Sequence, residues 1–277
     1  MTRSFLSRLR EHRLAWAACW VIGALYLTAA LAPLLPFADP DAQNMVIKLQ
    51  SPSWAHPCGT DDLGRDVLSR MVWGSRVSLT VGLLAVLISS VIGILVGGLA
   101  GTYGGWVDQA LMRLVDIVLC MPTLFLILML IVFLGPSLFN VMLVIGLTGW
   151  TDMARLVRAE FLSLKERDYV LASKSLGASN MRLLFKHLLP NALAPVFVTV
   201  SFGVAGAILL ESGLSFLGLG VQPPTPSWGN ILTAGKDYLE TAWWLTALPG
   251  NAIFITVLCF NLVGDGLRDI LDPRLRH

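Results

Sequence analysis

Few side chains in this 277-residue chain are spaced for catalysis. The four histidines, His12, His56, His187 and His277, are scattered, and no H-E-x-x-H occurs. The four cysteines, Cys19, Cys58, Cys120 and Cys259, form no C-x-x-C pair. Three of them lie inside long apolar runs, where a thiol serves as a small apolar group. The Gly-Lys pair Gly235-Lys236 is followed by Asp237, so the hydroxyl that holds magnesium in a P-loop is missing. Ser215 sits in Gly213-Leu214-Ser215-Phe216-Leu217, which lacks the second glycine of a nucleophile elbow. No catalytic residue, cofactor site, metal site or disulfide is expected in this chain.

The remaining chemical candidates are ionisable groups at the ends of apolar runs: Arg113, Asp116, Asp152, Glu211 and Asp265. Charges inside a membrane are candidates for function. Near a run's end, however, water or a local partner can satisfy them. Glu211, Asp116 and Asp265 are retained as pore, gate or structural charges, Glu211 because it borders a proline-rich loop.

These groups must be positioned by an apolar scaffold. The chain is 55% hydrophobic and 14% charged, against about 25% charged in soluble domains. Its mean hydropathy is +0.71. A membrane-crossing helix needs roughly 20 apolar residues, and six uncharged runs approach that length: 14–35, 77–100, 117–134, 135–151, 191–210 and 241–264. Another run, 213–235, holds Pro223, Pro224 and Pro226, which leave backbone groups unpaired in lipid; it reads as an external or re-entrant loop. The first run is too long for a signal-peptide core and follows Arg3, Arg8, Arg10 and Arg13, so an uncleaved anchor is expected. With the N-terminus inside, 15 of the 20 Lys and Arg fall on inner segments; Lys48, Arg65, Arg70, Arg76 and Lys236 fall outside. Residues 1–13 and 266–277 are then cytoplasmic, and 36–76 form an extracytoplasmic loop. In that loop, Asp61, Asp62 and Asp66 read as structural partners of Arg65 or Arg70, with a cation or docked protein as the alternative. Residues 66–77 suggest a short surface helix. Gly93, Gly97 and Gly101, four residues apart, place a smooth strip on one helix face for close packing.

The segment 155–190 differs in composition. Charges of both signs precede a helical stretch over 169–176, Gly177 breaks it, and Ser179 is placed to cap a second helix. Met181, Leu184, Phe185 and Leu188 make an apolar stripe on that helix, and Pro190 is expected to stop it. Two short helices around a glycine make an elbow that is polar enough for the cytosol and apolar enough to dock.

The run Ala172-Ser173-Lys174-Ser175-Leu176-Gly177-Ala178-Ser179, followed by Leu188-Leu189-Pro190-Asn191, resembles the "EAA" loop of ABC importer permeases. That pattern is Glu-Ala-Ala, three residues, Gly, nine residues, Ile, one residue, Leu-Pro. Gly177, Leu189 and Pro190 match it; Leu171, Ser173 and His187 stand where Glu, the second Ala and Ile would be. Further stretches resemble the peptide and nickel branch of that family: Gly59 to Asp66, Glu211 to Gly220, Pro223 to Gly229 and Asn261 to Asp269. The resemblance covers nearly the whole chain and points to the "C" permease of such importers.

The resemblance implies an all-α membrane protein with six transmembrane helices and a type I permease domain over 77–265, in the bacterial inner membrane. It implies four kinds of partner: a homologous permease (a heterodimer), two ATPase subunits carrying ATP and magnesium, an extracytoplasmic substrate-binding protein, and membrane lipid. No nucleic acid is among them. Ala172, Ser173, Leu176, Gly177, Ala178, Ser179, Arg182 and Pro190 would then form the ATPase-coupling loop. Di- and oligopeptides are the first substrate reading, and nickel or a metal chelate the alternative. An ATP-independent secondary transporter or channel is a third; the absence of central charges and of an internal repeat speaks against it.

Overall fold

The computed structural model describes residues 10–36 and 39–271. Expectations for residues 1–9 and for 272–277 lie outside the described residues. Every regular element described is helical. Helix α1 (Arg13–Leu31) runs into a 3-10 turn, Ala32–Leu34. A loop follows, containing a 3-10 turn at Met45–Ile47. Helix α2 (Val67–Tyr103) is a single rod of 37 residues, about 55 Å long. The separate surface helix expected over 66–77 is absent. Asp66 accepts a hydrogen bond from the Ser69 amide, and the helix it caps continues without a break into the apolar run.

Helices α3 (Gly105–Leu119) and α4 (Thr123–Leu134) replace the continuous span expected over 117–134. They meet at an 81° bend. Pro122 caps α4 with an extended ψ of 123°, and a proline there excludes its predecessor from helical geometry. Helix α5 (Leu138–Thr148) spans only about 16 Å and is followed, after Gly149 alone, by α6 (Trp150–Lys165). Asn140 joins α4 to α5, donating to the Leu134 and Gly135 carbonyls at 3.0 and 2.8 Å.

Beyond α6 come α7 (Asp168–Ser175) and α8 (Asn180–Leu183). A π-turn, Leu184–Leu188, then leads into α9 (Leu189–Phe216). Pro190 therefore does not stop the helix. It lies in the first turn of α9, where a missing amide costs little, and the wide preceding turn absorbs its ring. The 217–227 segment connects to the short α10 (Trp228–Gly235), and α11 (Trp244–Leu271) closes the fold. The proline-rich run 213–235 is accordingly no span. Four described helical stretches are long and apolar enough to cross a membrane, Arg13–Leu34, Val67–Tyr103, Asn180–Phe216 and Trp244–Leu271; the bent pair α3–α4 makes five if it counts as one.

Helix α2 is the hub, packed against α1, α3, α5, α6 and α9. Its glycine strip lies against α6. A Cβ on Gly93 would sit 2.5 Å from the Met153 Cβ, one on Gly101 2.6 Å from the Phe161 Cβ, and one on Gly97 3.0 Å from the Ala154 Cα. Gly82 gives α9 the same close approach, at Ile208 and Val204. The main core fills the space between α2, α4, α5 and α9, with Leu79, Ile127, Ile131, Val141 and Ile208 buried.

Candidate functional site

The elbow is built at the C-terminal end of α2. Gly177 takes φ +84° between α7 and α8, a conformation that favours glycine, and a Cβ there would meet no atom within 4 Å. Ser179 caps α8, accepting from the Arg182 amide at 3.4 Å. Beneath the elbow lies a second apolar cluster, separate from the main core. Phe161 of α6, Val170 of α7, Leu183 of α8, Leu188 of the π-turn and Ala192 and Val196 of α9 are all buried in it. Leu176, at the turn, is 89% exposed and Leu171 is exposed as well, while the exposed Met181 and Phe185 line a cavity shared with Leu95 and Leu99 of α2. Ala172 is exposed and Ala178 partly buried. An apolar knob on a supported helical hairpin is suited to entering a groove on another protein.

Helix α6 carries the elbow and is tied to its neighbours by charge. Lys165, its last residue, donates to the Gly101 and Thr102 carbonyls at 3.0 and 2.9 Å, placing a cation on the C-terminal end of α2. Burial, with Lys174 adding to it, pushes the Lys165 pKa below the ordinary lysine value. Arg158 holds Asp108 of α3 through two bonds of 2.5 and 2.6 Å, and Arg155 holds Asp116 at 2.7 Å. Asp116 is thus one half of a half-exposed ion pair. Such pairs contribute at most about 1 kcal/mol each, so they orient α3 more than they stabilise it. A cavity of about 710 Å³ opens beside this region, with Leu156, Glu160 and Arg167 on one wall and Asn191, Phe202 and Arg268 on the other. Asp265 lies elsewhere, exposed on α11 near Glu11 and Asp269.

At the opposite end of the bundle, Glu211 of α9 is fully buried. Its carboxylate accepts from Ser215 at 2.8 Å, Ser227 at 3.0 Å and Ser78 at 3.4 Å. Ser78 also accepts from the Trp228 amide at 3.2 Å, and the Trp228 indole donates to the Met71 carbonyl at 3.0 Å. Three elements, α2, α9 and the start of α10, are thereby fastened around one acid. In the neighbouring loop, Arg65 donates to Asp61 at 2.6 Å and lies 3.9 Å from Asp62, while Arg70 lies 3.6 Å from Asp61. Asp66 pairs instead with His56 at 2.9 Å while it caps α2.

Sequence alone singles out few of these residues. Ser78 and Lys165 acquire their roles only through distant partners, whereas Ser227 also caps α10 locally in a capping box with Asn230. His187 is different, because it stands out as a departure from a motif. It lies in the π-turn, 3.3 Å from the Ser173 hydroxyl of α7.

With only helices and four or five of membrane length among the described residues, and an elbow at the root of one of them, the chain is a multi-pass integral membrane protein. The chain belongs to the family of binding-protein-dependent transport system inner membrane components, the permease subunits of ABC importers, whose model matches residues 93–277. A second model, the N-terminal transmembrane domain of oligopeptide transport permease C, matches residues 1–52. A permease of this family is not itself an enzyme. The chain is 45% identical to the di/tripeptide transport system permease protein DppC of Pseudomonas aeruginosa, over 90% of this chain and 84% of that one. It is 40% identical to the dipeptide transport system permease protein DppC of Alkalihalophilus pseudofirmus, over 99% and 90%. With the oligopeptide transport system permease protein OppC of Bacillus subtilis it shares 42%, over 97% and 88%. The fold resembles a chain of the inward-facing MetNI methionine ABC transporter, with a TM-score of 0.58 at 21% identity, covering 74% of this chain and 96% of that one.

Proposed function

We propose that this chain forms, with a homologous permease, the pore of an ATP-driven importer of di- and oligopeptides in the bacterial inner membrane. The observation that carries the proposal is the elbow, a hairpin turned at a left-handed Gly177, supported from below and apolar on its free side. That shape suits insertion into a groove on an ATPase subunit, with ATP and magnesium held by the two ATPases and a binding protein delivering substrate from outside. The relatives at 40–45% identity bear peptide names, which favours peptides over nickel or a metal chelate.

The chain crosses the membrane six times in this arrangement. The four long helices supply four crossings, the bent pair α3–α4 a fifth, and α5 with the first turn of α6 a sixth. The basic residues around the elbow put it in the cytoplasm, together with both termini. The loop before α2 and the α9–α10 connection then lie outside, where the Asp61–Arg65–Arg70 and Glu211 networks hold the surface a binding protein meets. Closure of the ATPases displaces the elbow, and α9, continuous with it, rocks with it.

Reconstitution tests this. Proteoliposomes holding both permeases and both ATPases should take up labelled dipeptide only with ATP and binding protein present. Uptake driven by an ion gradient with the ATPases left out would overturn the proposal.

A further inference from the structure

Helix α7 is exposed along most of its surface. Its exposed Tyr169 ring lies beside His187, and two of its residues are withdrawn from solvent, Val170, which is buried, and Ser173, which is half-buried. They stand three apart and so share one face. Val170 contributes an apolar contact, which is non-directional and lets a short helix roll about its own axis. Ser173 contributes direction, since its hydroxyl lies 3.3 Å from the Nε2 of His187. Either ring tautomer serves, because the hydroxyl can donate or accept.

His187 is well placed to hold that direction. It sits in the π-turn Leu184–Leu188, whose extra residue turns the following side chains away from their regular helical positions. The Tyr169 ring leans on the imidazole, with centroids 6.2 Å apart at 49°. Asn191 of α9 donates to the His187 carbonyl at 2.6 Å. A chain of contacts therefore runs from α7 through Ser173 and His187 to the first turn of α9. The route through the chain itself is longer, passing Gly177 and α8. Ser173 and His187 are also two of the three positions at which this segment departs from the motif it resembles, and they touch each other.

We propose that Ser173 and His187 form a clasp that fixes the roll of α7 against the root of α9, making both of them positioning residues for energy coupling. The transport part of this proposal rests on the coupling function proposed for the elbow; the clasp itself does not. A push on α7 reaches α9 directly through the clasp. Without it, α7 rolls, and part of the displacement is lost before it reaches the membrane-crossing helix.

The test is a double-variant cycle, Ser173→Ala, His187→Ile and both together, with His187→Gln as the conservative variant. Losing either partner removes the one hydrogen bond between them, so the double variant has nothing further to lose. In the purified complex, amide exchange over α7 should rise about five-fold in each single variant, rise no further in the double variant, and return to within about two-fold of wild type in His187→Gln. In proteoliposomes, peptide imported per ATP hydrolysed should follow the same pattern, with membrane abundance unchanged. Exchange rates and import ratios that are unaltered in the single variants, or that add in the double variant, overturn the clasp. If the exchange cycle holds while the wild-type complex imports no peptide, the clasp stands and the peptide-importer function falls.

Discussion

Gly97 and Gly98 are adjacent in α2, and they offer a matched pair for testing how α6 is held. Replacing either by alanine adds one methyl group and improves helix propensity by about 0.8–1.0 kcal/mol. Their surroundings differ. At Gly97 the new carbon would sit 3.0 Å from the Ala154 Cα, and closer still to the Ala154 carbonyl oxygen, both of which are backbone atoms that cannot swing aside. Carbon atoms prefer roughly 3.5–4.0 Å, so α2 and α6 must part by at least about 0.5 Å. At Gly98 the new carbon would lie 3.4 Å from the Phe161 ring edge, an ordinary contact. Overpacking of the first kind costs about 1–3 kcal/mol. Propensity cancels between the two variants, so Gly97→Ala should be less stable than Gly98→Ala by about 1–3 kcal/mol. At about 2–4 °C per kcal/mol, thermal melting of the purified permease in detergent should separate them by roughly 2–12 °C. Equal melting points, or a lower one for Gly98→Ala, would refute backbone contact at Gly97 as the limit on how closely α2 and α6 pack.

Two further outcomes follow from the two ends of the bundle. Glu211→Ala removes the acceptor shared by Ser78, Ser215 and Ser227, and stranding buried hydroxyls costs about 1–3 kcal/mol each; Glu211→Gln keeps an acceptor and should be milder. Proteolysis of the 217–227 connection measures the difference, and equal cleavage in the two variants would refute the fastening role. Gly177→Val should lose coupled transport because its branched side chain disfavours φ +84°, whereas Gly177→Asn should retain most of it, since asparagine tolerates that region. If both variants fail equally in uptake assays, side-chain size at the docked surface matters rather than backbone conformation.

What could be read from the sequence depended on how far apart the cooperating residues lie. The elbow was legible because its determinants are local, with Gly177 breaking one helix and Ser179 capping the next. The glycine strip was legible as a pattern, but its partner was not, because Met153, Ala154 and Phe161 lie more than fifty residues downstream. Hydropathy misjudged two boundaries. It ran through Pro122, where backbone geometry divides α3 from α4, and it separated 66–77 from a helix that continues through polar residues. At Pro190 the error was of the opposite kind, since a π-turn accommodates the proline that was expected to end the helix. Glu211 itself stood out in the sequence and Ser215 lies one turn away, but its tie to α2 was illegible, since Ser78 precedes it by 133 residues.

The unbroken length of α2 has a consequence for movement. A rod of about 55 Å exceeds the roughly 30 Å thickness of a hydrocarbon core by about 25 Å. One end is held by Lys165, next to the elbow; the other begins at the Asp66 cap beside His56 and Arg70. Such a rod has no internal joint at which a tilt could be absorbed. Pivoting it by about 5° at the elbow end sweeps the far end through about 5 Å, about the pitch of one helical turn. A small change of angle at one end of the rod is thus close to a full turn's displacement at the other.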